Sequence, residues 1–530
     1  MGKLFFFIAL LFSAMLFSPL LISANENEIE DKIFVITGFE FDITGRTRQD
    51  ALVRKGEFKR GEEIHGEDNL EKYIADKTQM LINQRVLKDN VVLSCSIGEQ
   101  QPDGKYPVSV FIKVEDSMNF IVIPMPRYSS NNGLEIIARL RHYNFLGTMN
   151  PLVVNLGYHY DENRKSAVNL EVESLTPFKA FGYEWNFKFN NIFSFRPQAE
   201  DNKKFFYQNV TGISMELPFK STTFTFGFEE SFNLNEENLN RHQHYGEFQD
   251  GFYMASKLYA SWEIPTGIEV ANYGELTYTP EISAAFIHEL PAWELERNIR
   301  HGPFLEFSHS FGFEKIDWHG NFRKGFLFML ENSIRYDFYH LHNDKYSTVS
   351  SDPISPLSID YTISGIGHFT ITRFFGISSR IQWRHWFYND PWYYDLAGDA
   401  IRGILDKSLT ANYMLSLNLN LPLRLPLFSP ANWFKNNKLR GLDIEFHIGP
   451  TFDIALYHDE RTNTSFNPKN IAAGAGFELV IFPLVMRNLY IRVSVAWNIS
   501  EGLGAKPIIP PGENQEKPVQ EVTVMMGHFF

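Results

Sequence analysis

The sequence predicts a transmembrane antiparallel β-barrel of about 16 strands behind a small α+β domain. Three observations carry that prediction. From Ser117 onward, segments of about ten residues alternate apolar and polar positions and are broken by turn residues. Aromatic residues make up 15% of the chain, an abundance that the two interface girdles of a membrane barrel require. Residues 31–116 differ in character and show helical spacing.

Composition removes several classes. The 530 residues carry 63 acidic and 49 basic side chains, a net charge of −14, so nucleic acid is not the expected partner. One cysteine, Cys95, permits no internal disulfide and no cysteine-based zinc site. A hydrophobic fraction of 44% is that of a globular chain and not of a disordered one. The mean hydropathy of −0.23 is too low for a bundle of transmembrane helices.

Residues 1–24 read as a secretory signal peptide. Lys3 is the positive start, Leu4 to Ile22 is apolar, and Ala24 is a small residue at a plausible cleavage point. The alternative is a single membrane anchor. Against it, the acidic run from Glu26 to Asp31 follows directly and no basic stop-transfer flank exists. No cysteine lies near the cleavage point, so a lipid anchor is not expected. Beyond the signal no window of about 18 purely apolar residues occurs, as a spanning helix needs. The exported chain is therefore either soluble or a barrel.

The domain at 31–116 opens with a short apolar strand, Ile33 to Ile36. Thr47 and Asp50 make a T-x-x-D helix start, with Ala51, Leu52 and Val53 in a short helix that ends near Gly56. A second helix runs from about Asp68 to Leu87, with Leu70, Tyr73, Ile74, Leu81 and Val86 on its apolar face. Strands at Val91–Ile97 and Val108–Val114 close the unit. The order is strand, helix, helix, strand, strand, enough for one small core. Cys95 alternates with Leu93 and Ile97, so it enters a core or sits on a strand face. It reads as structural, because no histidine base is near.

Within 117–530, Phe181, Tyr183, Trp185, Phe187 and Phe189 share one face, while Glu184, Asn186, Lys188 and Asn190 share the other. Leu442, Ile444, Phe446 and Ile448 alternate with Asp443, Glu445 and His447. Such strands bury one face in something apolar and leave the other wet. A second sheet in a soluble sandwich supplies that environment, and so does lipid around a barrel. Long segments and frequent charges on the wet face favour the barrel. Lipid tolerates no open sheet edge, so the wall closes. At roughly 26 residues per strand with its connection, about sixteen strands fit; the alternating segments number about seventeen or eighteen, an overshoot assigned to one or two loop hairpins. The chain ends in an alternating stretch from Val522 to Phe530, which looks like the assembly signal of bacterial outer-membrane barrels.

Several passages together resemble a known family. The element order of 31–116, the turn Gly61–Ile64 and the L-x-x-x-x-V pattern from Leu81 to Val86 resemble a POTRA domain. Four barrel passages match in order: Asn144-Phe145-Leu146-Gly147 as an N-x-x-G turn; Ile401-Arg402-Gly403-Ile404 as the tip of a long extracellular loop; Gly449-Pro450-Thr451-Phe452-Asp453 as a G-x-x-F-D strand; and Ala473-Gly474-Ala475-Gly476 followed by Pro483. With them the chain, from about residue 31 to 530, resembles the BamA/TamA superfamily (bacterial surface antigen family). The resemblance implies that the loop folds into the lumen and that Arg402 binds acidic inner-wall groups at the Phe452-Asp453 strand. Parity points the same way, since Asp453 shares odd numbering with Asp443, Glu445 and His447, provided no bulge intervenes at Pro450. The other reading leaves Arg402 on a solvated loop tip. Two departures matter: Ile404 stands where an aromatic is usual, and Pro422 where a glutamate is common, leaving Asn420 as a substitute acceptor.

The family works at the seam between the first and last barrel strands. The first strand falls near Phe120–Tyr128 and holds Pro124 and Pro126, unless both prolines sit in the linker before it. The implied role is outer-membrane protein assembly or insertion, or translocation. The implied partners are unfolded outer-membrane or secreted client proteins, outer-membrane lipid and, where the family uses them, periplasmic accessory subunits. The implied place is the bacterial outer membrane with residues 31–116 in the periplasm. A two-partner secretion-type exporter, a passive outer-membrane channel and an adhesive surface barrel are the alternatives. No enzyme is expected: there is no G-x-S-x-G, no catalytic or metal constellation and no cofactor motif. His242, His244, His340 and His342 read as loop histidines.

Overall fold

The computed structural model describes residues 32–129, 133–160, 166–198, 204–219, 222–234, 252–270, 274–288, 303–338, 357–387, 398–405, 409, 411–458, 469–486, 488–505, 508 and 520–526. Residues 1–24, read above as a signal, and His242, His244, His340, His342 and Phe530 lie outside the described residues.

The first domain comprises β1 (Ile33–Thr44), α1 (Gln49–Lys55), β2 (Glu63–His65), α2 (Glu67–Asn83), β3 (Val92–Ile97) and β4 (Lys105–Glu115). The sheet order is β2-β1-β4-β3, with β1 and β4 parallel and the outer pairs antiparallel. Val108, Val110, Ile112 and Val114 alternate on β4 and bury one face against Leu52, Leu70 and Leu81 of the helices. On β1 the register shifts between Ile36 and Gly38. That bulge switches parity, so Phe34 and Ile36 precede Phe39, Phe41 and Ile43 on the core side.

Three local expectations change. The expected turn Gly61–Ile64 runs into a fourth strand, β2, at one edge of the sheet, because Ile64 reaches the core. The second helix ends at Asn83, four residues early, where Arg85 takes a left-handed φ of 54°. Thr47 does not cap α1, which starts without a side-chain cap; its hydroxyl goes to Asp116 instead. Cys95 is exposed on the outermost strand.

The second body is a closed barrel. Its strands are β5 (Phe120–Ser129), β6 (Gly133–His142), β7 (Leu152–Tyr160), β8 (Ser166–Ala180), β9 (Tyr183–Phe195), β10 (Phe205–Phe219), β11 (Thr222–Leu234), β12 (Phe252–Glu269) and β13 (Glu275–His288). The ring continues through β14 (Phe304–His319), β15 (Phe322–Asp337), β16 (Leu357–Thr372), β17 (Phe375–Phe387), β18 (Tyr413–Asn420), β19 (Leu423–Arg424), β20 (Ile444–Tyr457), β21 (Ile471–Pro483), β22 (Ile491–Asn498) and β23 (Gln520–Met526). Neighbours pair antiparallel, and β23 returns to β5. Both β18 and β19 lie between β17 and β20, so the nineteen segments make a wall of eighteen lanes. The count exceeds sixteen because turns at the domain end are short: β8–β9, β14–β15 and β16–β17 each turn in two residues.

The alternation has the sense expected of a membrane wall. Polar groups pair inside, as with Lys188 and Glu229 at 2.8 Å or Lys257 and Glu281 at 3.3 Å. Outside, Phe187, Phe226, Phe228, Leu258, Ile282, Phe286 and Phe307 are all exposed. A contiguous apolar surface of this kind needs hydrocarbon as its solvent.

Candidate functional site

Three features make up the candidate site: a loop in the lumen, a joint to the first domain at one mouth, and a seam in the wall.

The loop turns at Gly398–Ala400 and carries Ile401 to Ile404 into the lumen, all four buried. The Arg402 guanidinium grips the Asp453 carboxylate with both arms, Nε to Oδ2 at 2.8 Å and Nη2 to Oδ1 at 2.6 Å. The Arg402 amide donates to the same Oδ2 at 2.9 Å. Two planar forks locked in this way fix direction as well as charge. Arg402 and Asp453 side chains are 3% and 1% exposed, so solvent does not screen the pair. Asp453 faces in because the β20–β21 register runs unbroken through Pro450.

The loop also makes contacts not anticipated from the sequence. Arg402 reaches Glu478 of β21 at 3.5 Å. The Gly403 amide donates to Glu521 of β23 at 2.8 Å. Arg402 Nη2 donates to the Leu419 carbonyl at 3.4 Å. Asn418 donates to the Ala400 carbonyl at 2.8 Å. Asn420 does not accept from Arg402; it donates to Glu478 at 3.3 Å. Pro422 sits at the break between β18 and β19. Phe452 has the opposite parity to Asp453, pairs with Leu419 and Ala475, and so lies on the outer face. Ile404, standing where an aromatic is usual, joins a hydrophobic cluster with Leu409, Met414 and Tyr457. Gly474 leaves the notch for the loop backbone, since a Cβ there would overlap the Arg402 carbonyl oxygen. Gly403 itself needs its φ of +89°.

The N-x-x-G turn binds the first domain. Asn144, 1% exposed, donates to Thr47 Oγ1 at 2.7 Å and to Asp116 Oδ2 at 3.2 Å. Its own oxygen accepts from the Met149 amide at 2.9 Å. Thr47 donates to Asp116 at 2.6 Å, and the Arg46 amide adds a further bond at 2.7 Å. The Arg48 amide donates to the Gly147 carbonyl at 3.0 Å. Beside this joint, Lys88 and Asn90 hydrogen-bond Glu115 and hold its carboxyl below the usual range. Nearly opposite on the ring, α2 meets the β14–β15 turn. Asn83 donates to Asp317 at 2.9 Å and accepts from the Trp318 amide at 3.0 Å. The Arg85 guanidinium lies 4.1 Å from the Trp318 ring centre. Held at both places, the domain spans the mouth.

Among the described residues, the seam is the least paired junction between two lanes of the wall. Among the described residues, β23 meets β5 at Thr523–Ser129 and Val524–Tyr128, two register pairs. On its other side β5 pairs with β6 through ten. Pro124 and Pro126 both fall within β5, opposite Ala138 and Ile136. Two residues apart, they present nitrogens without hydrogens to the same edge.

No family model and no curated protein matches the sequence. Solved structures do. CdiB from Acinetobacter baumannii aligns over 93% of this chain and 74% of its own, with 11% identity and a TM-score of 0.45. CdiB from Escherichia coli aligns over 96% and 92%, with 9% identity and a TM-score of 0.41. BamA from Haemophilus ducreyi lacking POTRA domains 1–3 aligns over 93% and 85%, with 12% identity and a TM-score of 0.38.

Proposed function

We propose that the chain is a bacterial outer-membrane factor that handles extended client strands, with its first, POTRA-like domain in the periplasm. The observation that carries this is the seam: the first strand is fully paired with β6 on one side, while on the other, where described residues of β5 and β23 stand side by side, Tyr128 and Ser129 pair and Pro126 and Arg127 do not. A strand edge in that state templates another strand by β-augmentation. The first domain offers a second edge. β3 is the outermost strand of its sheet, with Val92 and Ile97 each 50% exposed. A client would pass from the β3 edge to the seam. The role requires no catalytic residue and no cofactor. A passive channel fits less well, because the first domain crosses one mouth and the Arg402 loop occupies the lumen.

The test locks the seam. Tyr128→Cys with Val524→Cys, in a Cys95→Ser background, places two thiols at a paired position close enough to bridge. Oxidation in the native host is expected to lower the client proteins and reduction to restore them, read by mass spectrometry of membrane and secreted fractions. A fall in membrane barrels marks an insertase; a fall in a secreted protein marks an exporter. Normal levels of both with the seam oxidised would refute the reading.

A further inference from the structure

Between β19 and β20 the chain makes an excursion, Leu425 to Asp443, on the side where the β8–β9, β14–β15 and β16–β17 turns take two residues. It is a built platform. Ser429 caps a short helix, Pro430–Trp433, accepting from the Asn432 amide at 3.3 Å. Asn436 caps the following turn through the Lys438 amide at 3.0 Å. Asp443 accepts from the Ala431 amide at 3.4 Å, and the Asp443 carbonyl takes the Leu484 amide at 3.0 Å. Yet this ordered segment leaves Trp433 61% and Phe434 71% exposed.

Its direction follows from register. On β20, Glu445 and His447 are buried on the lumen side, so Ile444, Phe446 and Ile448 face out. Phe428 bridges Ile444 antiparallel and therefore shares that outer face. Trp433 packs edge-on against Phe428, ring centres 4.7 Å apart. The lipid-facing stripe thus continues past the end of the strand into the platform. Its charge is opposite in sign to the rest of the chain. Lys435, Lys438 and Arg440 are exposed around the two aromatics, with Asp443 the only acidic residue of the excursion, in a chain of net charge −14. The adjoining turn adds Arg373 beside Phe374.

We propose that residues 425–443 form an interfacial foot that lies in the headgroup layer of the adjacent leaflet and selects anionic phospholipid. Trp433 and Phe434 enter the boundary between headgroups and acyl chains, where amphipathic rings settle. The three cations meet phosphates. This rests on the barrel being a membrane wall and not on the seam reading.

The test uses the mature chain in nanodiscs of phosphatidylcholine with phosphatidylglycerol. A Cys95→Ser background carries an NBD fluorophore at Phe434→Cys or, as a control in mid-wall, at Leu258→Cys. The expected result is blue-shifted emission at both sites, with the Phe434 site quenched most by lipid spin-labelled near the headgroup. Water-like emission at Phe434 alone overturns the foot and leaves the surface to a soluble partner; water-like emission at both overturns the membrane wall itself. In a second arm, native mass spectrometry compares retained phosphatidylglycerol with phosphatidylcholine. Changing Lys435→Gln, Lys438→Gln and Arg440→Gln together is expected to lower that preference by about fivefold per charge. An unchanged preference in the folded triple variant overturns the anionic selection.

Discussion

At the residue scale the Arg402–Asp453 pair is a two-armed, buried contact that ties the loop to the lumen wall. Both groups are out of water, so the pair is worth little against an apolar substitute, but losing one member strands a buried charge. Arg402→Ala and Asp453→Ala are each expected to cost about 3–5 kcal/mol of loop anchoring. On a semi-native gel each should lower the temperature at which the folded barrel loses its compact migration. The double variant should cost clearly less than the sum, because the stranded partner is gone too; strict additivity would show that the pair carries no coupling. Gly474→Ala reaches the same end by another route, forcing the loop backbone off the wall while both charges remain. The family resemblance implied the pairing, and odd numbering separately put Asp453 on the wet face of its strand. Glu478 and Glu521 were not. Parity tells which face a residue occupies, but only closure of the ring brings β21 and β23 to a loop many residues away in the chain.

At the element scale, the joint between the first domain and the barrel shows how tertiary partners displace local rules. Thr47 three residues before Asp50 is the pattern of a helix start, yet the hydroxyl serves Asp116 and the helix begins uncapped. A capping bond contributes about 1 kcal/mol; here the hydroxyl joins a buried network with a carboxylate, which is worth more. The Gly38 bulge was equally hidden, because its effect is to let two different parities bury on one strand. The second helix, by contrast, was legible from its apolar face and missed only its last turn. Asn144→Ala removes both donor bonds to the domain and the acceptor for the Met149 amide. Left unpaired in a buried site, these groups should cost about 1–3 kcal/mol each. Faster amide exchange is expected at Met149 and Arg46, with the heat resistance of the barrel unchanged. Unaltered exchange at both amides would show that the turn does not hold the domain.

At the scale of the whole molecule, a closed wall of eighteen lanes is obstructed twice, by the loop in its lumen and by the domain across one mouth. The wall itself was readable from the period-two pattern; its width was misjudged, because the residue allowance was preferred and the surplus alternating segments were set aside as loop hairpins. The position of the domain was beyond the sequence, because it depends on two turns that lie nearly half a ring apart. Two obstructions in series make a specific prediction for ion flow. Resistances in series add, so removing either one alone leaves the other in control. In planar bilayers the mature chain should conduct least, and deletion of residues 32–116 should raise conductance only modestly. Arg402→Ala alone should do likewise, since the mouth stays covered. The deletion combined with Arg402→Ala should exceed the sum of the two increments and fluctuate as the freed loop moves. If the mature chain already conducts at the level of the combined variant, and steadily, neither feature closes the path and the barrel is an open channel.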